Sequence, residues 1–327
     1  MEITFTFDEN NLKKASHFFS NYDMVNILSD PPEKYYLGSS ESKKCRFCGK
    51  SEPTVKFAME AHAIPHFMGN QNLLSNFECD SCNSIFSKYE DSFARFLGVT
   101  RTLSQIRGKK GNIPKFKDSK TSLQVIMTGE GIQMSSIIGD DIMEMNEGNK
   151  SFTLKTFKTT YTPIFIPKLL VKLAVTMLPE EEIINFDYTC KFLINNSKNK
   201  NFENFNLLRI FSYYVPGPTI FEKPFLLLFK SKVDNLPQYI FILQYYNYQF
   251  QMIIPFGSKD EKLQGKNVEL PIAPLLLEKS HTEQFGKEKF TDLNLTSVNK
   301  KVSEAQNITF SYDRFEQKDF NEKGEEI

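Results

Sequence analysis

Cys45 and Cys48 form one Cys-x-x-Cys pair and Cys79 and Cys82 another, together using four of the chain's five cysteines. With two residues between them, both sulfurs of a tight turn can face one metal ion. Two such turns complete a tetrahedral set, the arrangement Zn²⁺ prefers with thiolate ligands. The spacing therefore points to a structural Zn²⁺ on Cys45, Cys48, Cys79 and Cys82. The segment between the pairs is longer than a simple zinc ribbon needs, so a metal here closes a loop able to carry something else. It carries Glu60-Ala-His-Ala-Ile-Pro, and the second pair runs straight into Asn83.

Short elements must position these residues. Val55-Lys-Phe-Ala-Met reads as a strand leading into His62, and Pro65 and Gly69-Asn70 turn the chain back, so that a hairpin or loop exposes His62. On a regular strand Glu60 would share the face of His62, because side chains repeat every two residues. After Asn83, the residues Ile85, Phe86, Tyr89, Phe93, Phe96 and Leu97 recur at three- and four-residue spacing. They predict a helix with that stripe buried, stopped at Gly98.

The order CxxC, Glu-Ala-His-Ala-Ile-Pro, Gly-Asn turn, CxxC-Asn, helix resembles the HNH endonucleases, in particular the bacterial zinc-knuckle type, over about residues 35–115. The resemblance implies a ββα-metal core, in which a hairpin presents the histidine, a helix follows the last knuckle and one divalent ion sits between them. It implies phosphodiester hydrolysis with His62 as general base. An imidazole titrates close enough to neutral for that task. The implied catalytic ion is Mg²⁺ or Mn²⁺ on hard oxygen ligands, with Asn83 either ligating it or orienting the His62 ring.

Two positions depart from the family pattern. Many relatives carry an acidic residue or His immediately before the base, where this chain has Ala61, which leaves Glu60 as the substitute ligand. Relatives often place a last His or Asn eight or nine residues after the middle Asn, where this chain has Asp91 and Ser92. A regular helix would set Asn83 and Asp91 about 12 Å apart along its axis. One ion therefore takes Asn83 with Glu60, the favoured pair, or Asp91 with Asn83 left to orient His62. His66 follows Pro65, where relatives often carry Glu; it is either a phosphate contact or a surface residue, the second being favoured, and His17, His281 and Cys190 are read as structural or incidental.

The 327 residues carry 40 basic and 40 acidic side chains, so no global field calls for a polyanionic partner. Charge is local instead. Residues 101–120 hold seven basic side chains (Arg101, Arg107, Lys109, Lys110, Lys115, Lys117, Lys120) against one acid, Asp118. A basic strip directly behind a nuclease core is where contacts to a DNA or RNA backbone are useful. No apolar run suits a membrane span, the start lacks the pattern of a signal peptide, and the cysteines fit a reducing compartment, so a cytoplasmic protein is expected.

Outside the core, Glu2–Phe7 reads as a strand, Asp8 as the cap of a helix reaching about Phe19, and Ser122–Thr128 and Ser151–Lys158 as strands separated by a polar loop. Pro167–Leu178 reads as an amphipathic helix ended by Pro179, and Glu180–Leu193 as helical. Asn195–Asn204 is a polar loop. Leu207–Val215, Pro224–Lys232, Gln238–Tyr246 and Tyr248–Phe256 are aromatic and β-branched strands, with Tyr246-Asn247 a hairpin point. One more strand is expected at Asn307–Tyr312, before an acidic tail. The fold class is α+β: an HNH nuclease domain over 1–120 and, over 121–327, a recognition or regulatory domain with a mostly antiparallel sheet and helices on one side. HNH domains joined to unfamiliar C-terminal partners occur widely in restriction and anti-phage systems, so the resemblance implies a defence setting, with a homodimer or a defence-system partner engaged through the C-terminal domain. Two alternatives remain: a non-catalytic, zinc-containing nucleic-acid-binding or assembly subunit, and an RNA-directed nuclease.

Overall fold

The computed structural model describes residues 9–41, 43–108, 111–195, 206–275, 277–297 and 301–319. The predicted strand Glu2–Phe7 lies outside these residues, as do most of the loop 195–204 and the end of the acidic tail. The chain enters through helix α1 (Glu9–Asn21) and passes without a break into strand β1 (Tyr22–Ser29), then β2 (Tyr35–Leu37). Strand β3 (Leu73–Ser75) pairs with β2 in parallel, and helix α2 (Asp80–Leu97) follows at once. This helix starts at Asp80 rather than after Asn83, so Cys82 and Asn83 stand in its first turn. Of its predicted stripe, Phe86, Tyr89, Phe93, Phe96 and Leu97 are buried and Ile85 is half-buried. Val55–Met59 is not a strand. The Asp80 carboxylate takes the N–H groups of Ala58 and Met59, at 3.3 and 2.9 Å, which pins that segment to the start of α2 rather than to a sheet.

A short helix α3 (Thr100–Leu103) leads into strands β4 (Phe116–Lys117), β5 (Gln124–Thr128), β6 (Gly131–Ser135), β7 (Met143–Asn146) and β8 (Ser151–Phe157). The stretch expected to be a polar loop therefore contains two strands, β6 and β7, each completing a hairpin with a predicted neighbour. Helix α4 (Phe165–Met177) and, after a 3-10 turn at Glu180–Phe186, helix α5 (Asp187–Ile194) come next. The remaining elements are β9 (Ile210–Tyr214), β10 (Phe221–Ser231), β11 (Tyr239–Tyr246), β12 (Tyr248–Ile253), helix α6 (Lys279–Phe285), β13 (Lys289–Leu293) and β14 (Ala305–Ser311). Tyr246-Asn247 forms the tight turn between β11 and β12, with Tyr245 opposite Tyr248.

The principal sheet is antiparallel, in the order β1-β10-β11-β12-β9-β13. Successive side chains on β10 and β11 point to opposite faces. Leu226, Leu228, Phe241 and Leu243 join the large core shared with α2 and α4, while Phe229, Ile240 and Ile242 pack against Phe18 and Tyr22 from α1 and β1. Helices thus cover both faces, not one, because α1 folds over the far side. A separate core of Val99, Phe116, Leu123, Val125, Phe152 and Leu154 lies under two three-stranded sheets, β4-β5-β6 and β14-β8-β7. Among the described residues no helix is long and apolar enough to cross a membrane.

Several contacts run across residue 120. β1 takes its ladder from β10, and α2 packs on α4 in one hydrophobic cluster. Helix α4 was expected to be amphipathic, yet all its residues from Ile166 to Met177 are buried, Lys168 and Lys172 included. Its end is capped from the first cysteine knuckle. Arg46 Nη1 donates to the carbonyls of Val175, Thr176 and Leu178 at 3.0, 3.0 and 2.8 Å, and Asn26 Nδ2 donates to Met177 O at 2.8 Å. The last carbonyls of a helix lack partners of their own and carry its negative dipole end, so a guanidinium suits them. The Arg46 guanidinium also lies 3.7 Å from the centroid of the Phe77 ring. The Arg46→Met variant keeps the stem and loses the donors. It is expected to be less stable by about 2 kcal/mol or more, since hydrogen bonds from charged groups contribute about 1.5–3 kcal/mol each; urea unfolding of both proteins checks this.

Candidate active site and metal centre

The first knuckle is a tight turn in which Gly49 N donates to Cys45 O and Cys45 N to Lys50 O, both at 2.8 Å. In the second, Cys79 immediately precedes α2 and Asn83 N donates back to Cys79 O at 2.9 Å. Phe47 of the first turn meets Phe86 of α2 edge-on, with ring centroids 4.6 Å apart, and so sets the two turns face to face. All four sulfurs then lie within 4.8 Å of one another, Cys48 and Cys79 at 3.9 Å. A tetrahedral Zn²⁺ with bonds of about 2.3 Å separates its sulfurs by about 3.8 Å, so the four residues fit such an ion.

The thiol chemistry agrees with this fit. Cys45 is pushed down to about 5, chiefly by accepting a hydrogen bond from Cys82, whose own thiol is driven well up by donating it. Burial pushes Cys79 up to about 11. Thiolates this close oppose one another's ionisation, and a bound cation is what removes that opposition. Among the described residues these cysteines form the one group of three or more His, Cys, Asp or Glu side chains placed to hold a metal ion.

His62 stands on a short antiparallel pairing. It bridges to Leu74, with Ala63 N donating to Leu73 O at 3.1 Å and Ser75 N to Ala61 O at 2.8 Å. Pro65 and a 3-10 turn at His66–Met68 follow, and Gly69 ends that turn at φ 98°, a left-handed conformation that favours glycine. The chain then returns through Asn70 to β3, so His62 does ride on a hairpin, and α2 completes a ββα unit.

Asn70 is a residue that sequence reasoning treated only as a turn. It is fully buried, its Oδ1 accepts from Leu73 N at 2.9 Å, and its Nδ2 donates to Ile64 O at 2.6 Å and Leu73 O at 2.9 Å. Two carbonyls around one end of the amide and an N–H at the other fix its orientation. The same Nδ2 lies 3.4 Å from His62 Nδ1. The available signal was an Asn after Gly in a loop, where a side-chain amide commonly satisfies nearby backbone. The half-buried His66 ring meets the His62 ring edge-on with centroids 5.4 Å apart. It is therefore a neighbour of the His62 ring rather than an isolated surface residue.

The acidic residues expected near His62 have cationic partners. Glu60 is exposed and pairs with Lys34 at 3.0 Å, with Tyr36 Oη at 3.5 Å. The hydrogen bond from Lys34 is the main reason its carboxyl sits below the usual range, and the proximity of His62 adds a little. Asp91 pairs with Arg95 at 2.9 Å, one turn further along α2. Helix α2 is continuous from Asp80 to Leu97, so Asn83 and Asp91 are about 12 Å apart along its axis and cannot share an ion. Ser92 is buried, and its Oγ accepts from Thr162 N at 3.4 Å, which makes it a packing residue.

The described residues of the basic strip stand in different surroundings. Arg101 is half-buried, 5.5 Å from the centroid of the Phe67 ring, and burial lowers its guanidinium below the usual range. Arg107 is exposed and donates to Gly111 O at 2.7 Å. Lys115 and Lys117 are exposed at β4, which pairs with β5, and Lys120 lies 4.1 Å from the Phe157 ring centroid. Lys109 and Lys110 lie outside the described residues. The strip's acid, Asp118, accepts from the backbone N–H groups of Lys120, Thr121 and Phe157.

Residues 45–96 match the family model described as HNH endonuclease. The match spans both knuckles, His62 and nearly all of α2, and lies within the stretch 35–115 that resembles that family. No curated protein and no solved structure matches the chain. An HNH domain implies a nucleic-acid substrate, and the cysteine cluster is a possible zinc site within it. If the cysteines hold a structural ion, purified protein is expected to contain about one Zn²⁺ per chain by elemental analysis, and chelation is expected to lower its melting temperature sharply. Cys45→Ser is expected to reproduce that loss, whereas unchanged melting after complete chelation would exclude a structural ion.

Proposed function

We propose that this protein is a metal-dependent endonuclease that hydrolyses phosphodiester bonds of DNA, with His62 as general base. The observation that carries this reading is His62 on its hairpin, with Asn70 beside Nδ1, inside the segment matched by the HNH endonuclease family model. In this reading a neutral His62 imidazole takes a proton from water as the water oxygen bonds to phosphorus and the bond to the leaving sugar oxygen breaks. A divalent ion, Mg²⁺ or Mn²⁺, when bound would stabilise the charge developing on that leaving oxygen. Asn83 and Glu60 are the residues proposed to hold it. Mg²⁺ keeps several waters and takes one or two carboxylates besides substrate phosphate, so a small protein ligand set is compatible with it. Asp91 is the alternative: it lies about 12 Å along α2 from Asn83 and so cannot join it on one ion, and it is paired with Arg95 as Glu60 is with Lys34.

Zn²⁺ is proposed for the four cysteines on the strength of their tetrahedral all-sulfur spacing. Arg101, Arg107, Lys109, Lys110, Lys115 and Lys117 are proposed to contact the nucleic-acid backbone, with the exposed Arg107, Lys115 and Lys117 the best placed of those described. The region 121–327 is proposed to recognise a target or partner, in a cytoplasmic restriction or anti-phage setting. That setting rests on analogy of domain organisation. One observation favours a non-catalytic nucleic-acid binder instead: Ala61 and Ser92, where relatives carry ligands, are both buried among packing groups.

Plasmid DNA with purified protein and Mg²⁺ or Mn²⁺ tests the proposal. Wild type is expected to nick or linearise it, and His62→Ala to cut on the order of 100-fold more slowly or worse while still binding DNA. Equal cutting by both would remove His62 as the base. Binding without cutting by zinc-loaded wild type would favour the binder, and faster cutting of RNA would reassign the substrate.

A further inference from the structure

A lysine without access to solvent stands in the middle of α4. The Lys172 side chain is 0% exposed and that of Glu78 is 1% exposed, with Lys172 Nζ 3.0 Å from Glu78 Oε2. The same ammonium lies 3.3 Å from the backbone carbonyl oxygen of His62, and 5.8 Å from the centroid of the Phe86 ring on α2. Three segments therefore meet at one charge: the hairpin strand that carries His62, the residue preceding Cys79, and a helix outside the segment matched by the family model.

Burying two ions is costly, and apolar side chains of similar volume commonly fill such a space at no loss of stability. An apolar pair, however, would leave the His62 carbonyl without this donor. Ala63 N and Ser75 N bond across the hairpin on either side of His62, so the ammonium anchors the strand at the one residue whose ring position matters.

We propose that Lys172 is a positioning residue for His62, acting through the His62 backbone carbonyl, with Glu78 as the counter-charge that lets an ammonium stay there. The proposal rests on the nuclease reading for its kinetic consequence. It places part of the active-site framework in α4, beyond residues 45–96, so the HNH segment alone is incomplete.

The test uses full-length protein. Lys172→Met alone strands the Glu78 charge and can fail to fold, so the informative variant is Lys172→Met with Glu78→Gln, which removes both charges. Two quantities are read beside circular dichroism and zinc content: kcat and KM on a DNA oligonucleotide, and amide hydrogen exchange at Ala63 and Ser75. The double variant is expected to keep its secondary structure and zinc. Its KM should stay within about twofold while kcat falls about 100-fold, the effect of displacing a reacting group by on the order of 1 Å. Exchange at the two amides should quicken about tenfold as the hairpin loosens.

Wild-type kcat with wild-type exchange would overturn the proposal, as would a double variant that unfolds or releases zinc, because the pair would then be simply structural. A wild-type protein that does not cleave, or a His62→Ala variant that cleaves normally, would overturn the nuclease reading instead. The exchange measurement would then decide the positioning role alone.

Discussion

Helix α4 has no solvent face, and every polar group it carries must find a protein partner. Its side chains and terminal carbonyls are consequently the sockets into which the rest of the chain fits. Lys168 donates to the carbonyls of Phe192 and Asn195 at 2.8 and 3.0 Å and so closes the end of α5; burial pushes its ammonium down to about 8. Lys172 reaches the second knuckle and His62, while Arg46 and Asn26 bring the first knuckle and β1 to the C-terminal carbonyls. Leu169, Leu170 and Leu173 belong to the cluster that also contains Phe241 and Leu243 of the sheet. Moving α4 would therefore disturb the knuckles, the hairpin and the sheet together.

The HNH segment contains little regular structure to resist such a disturbance. Its strand β3 and the partner β2 just before it are three residues each, and a pairing that short is marginal by itself. Order comes instead from point attachments. The four sulfurs converge between the two knuckles, Asp80 ties down Ala58 and Met59, and Asn70 closes the turn behind His62. Each attachment replaces part of a sheet ladder with a side chain bonded to backbone. A hairpin built this way can place a histidine accurately with few residues, provided every attachment is present.

The end of the chain also returns to the HNH segment. Gln306 on β14 accepts from Val99 N at 3.0 Å and donates to Leu97 O at 3.1 Å, which caps α2. Gly98 makes this possible, since its φ is +62° and a Cβ there would overlap the Gln306 side chain. The basic stretch behind α2 is accordingly no free linker. Phe116 sits in the small core with Val125 and Leu154, and Asp118 is spent on backbone N–H groups of its own turn and of Phe157. The cations that remain exposed are those at its bends and edges.

The sequence by itself determined what depends on near neighbours. Two Cys-x-x-Cys turns, the motif around His62, the stripe of α2 and the turn at Tyr246-Asn247 are each specified within a few residues, and the family model, over residues 45–96, spans all of these but the last and the end of the stripe. Partners remote in sequence were decided only by the tertiary structure. Nothing local distinguishes a lysine on a solvated helix face from Lys172, so α4 read as amphipathic. Nothing local pairs β1 with β10, or turns the Asn70 amide onto Ile64 and Leu73. A side chain's type states which bonds it can make. Which groups lie within 3 Å of it depends on how distant elements pack, and around His62 those distant elements supply the buried charge.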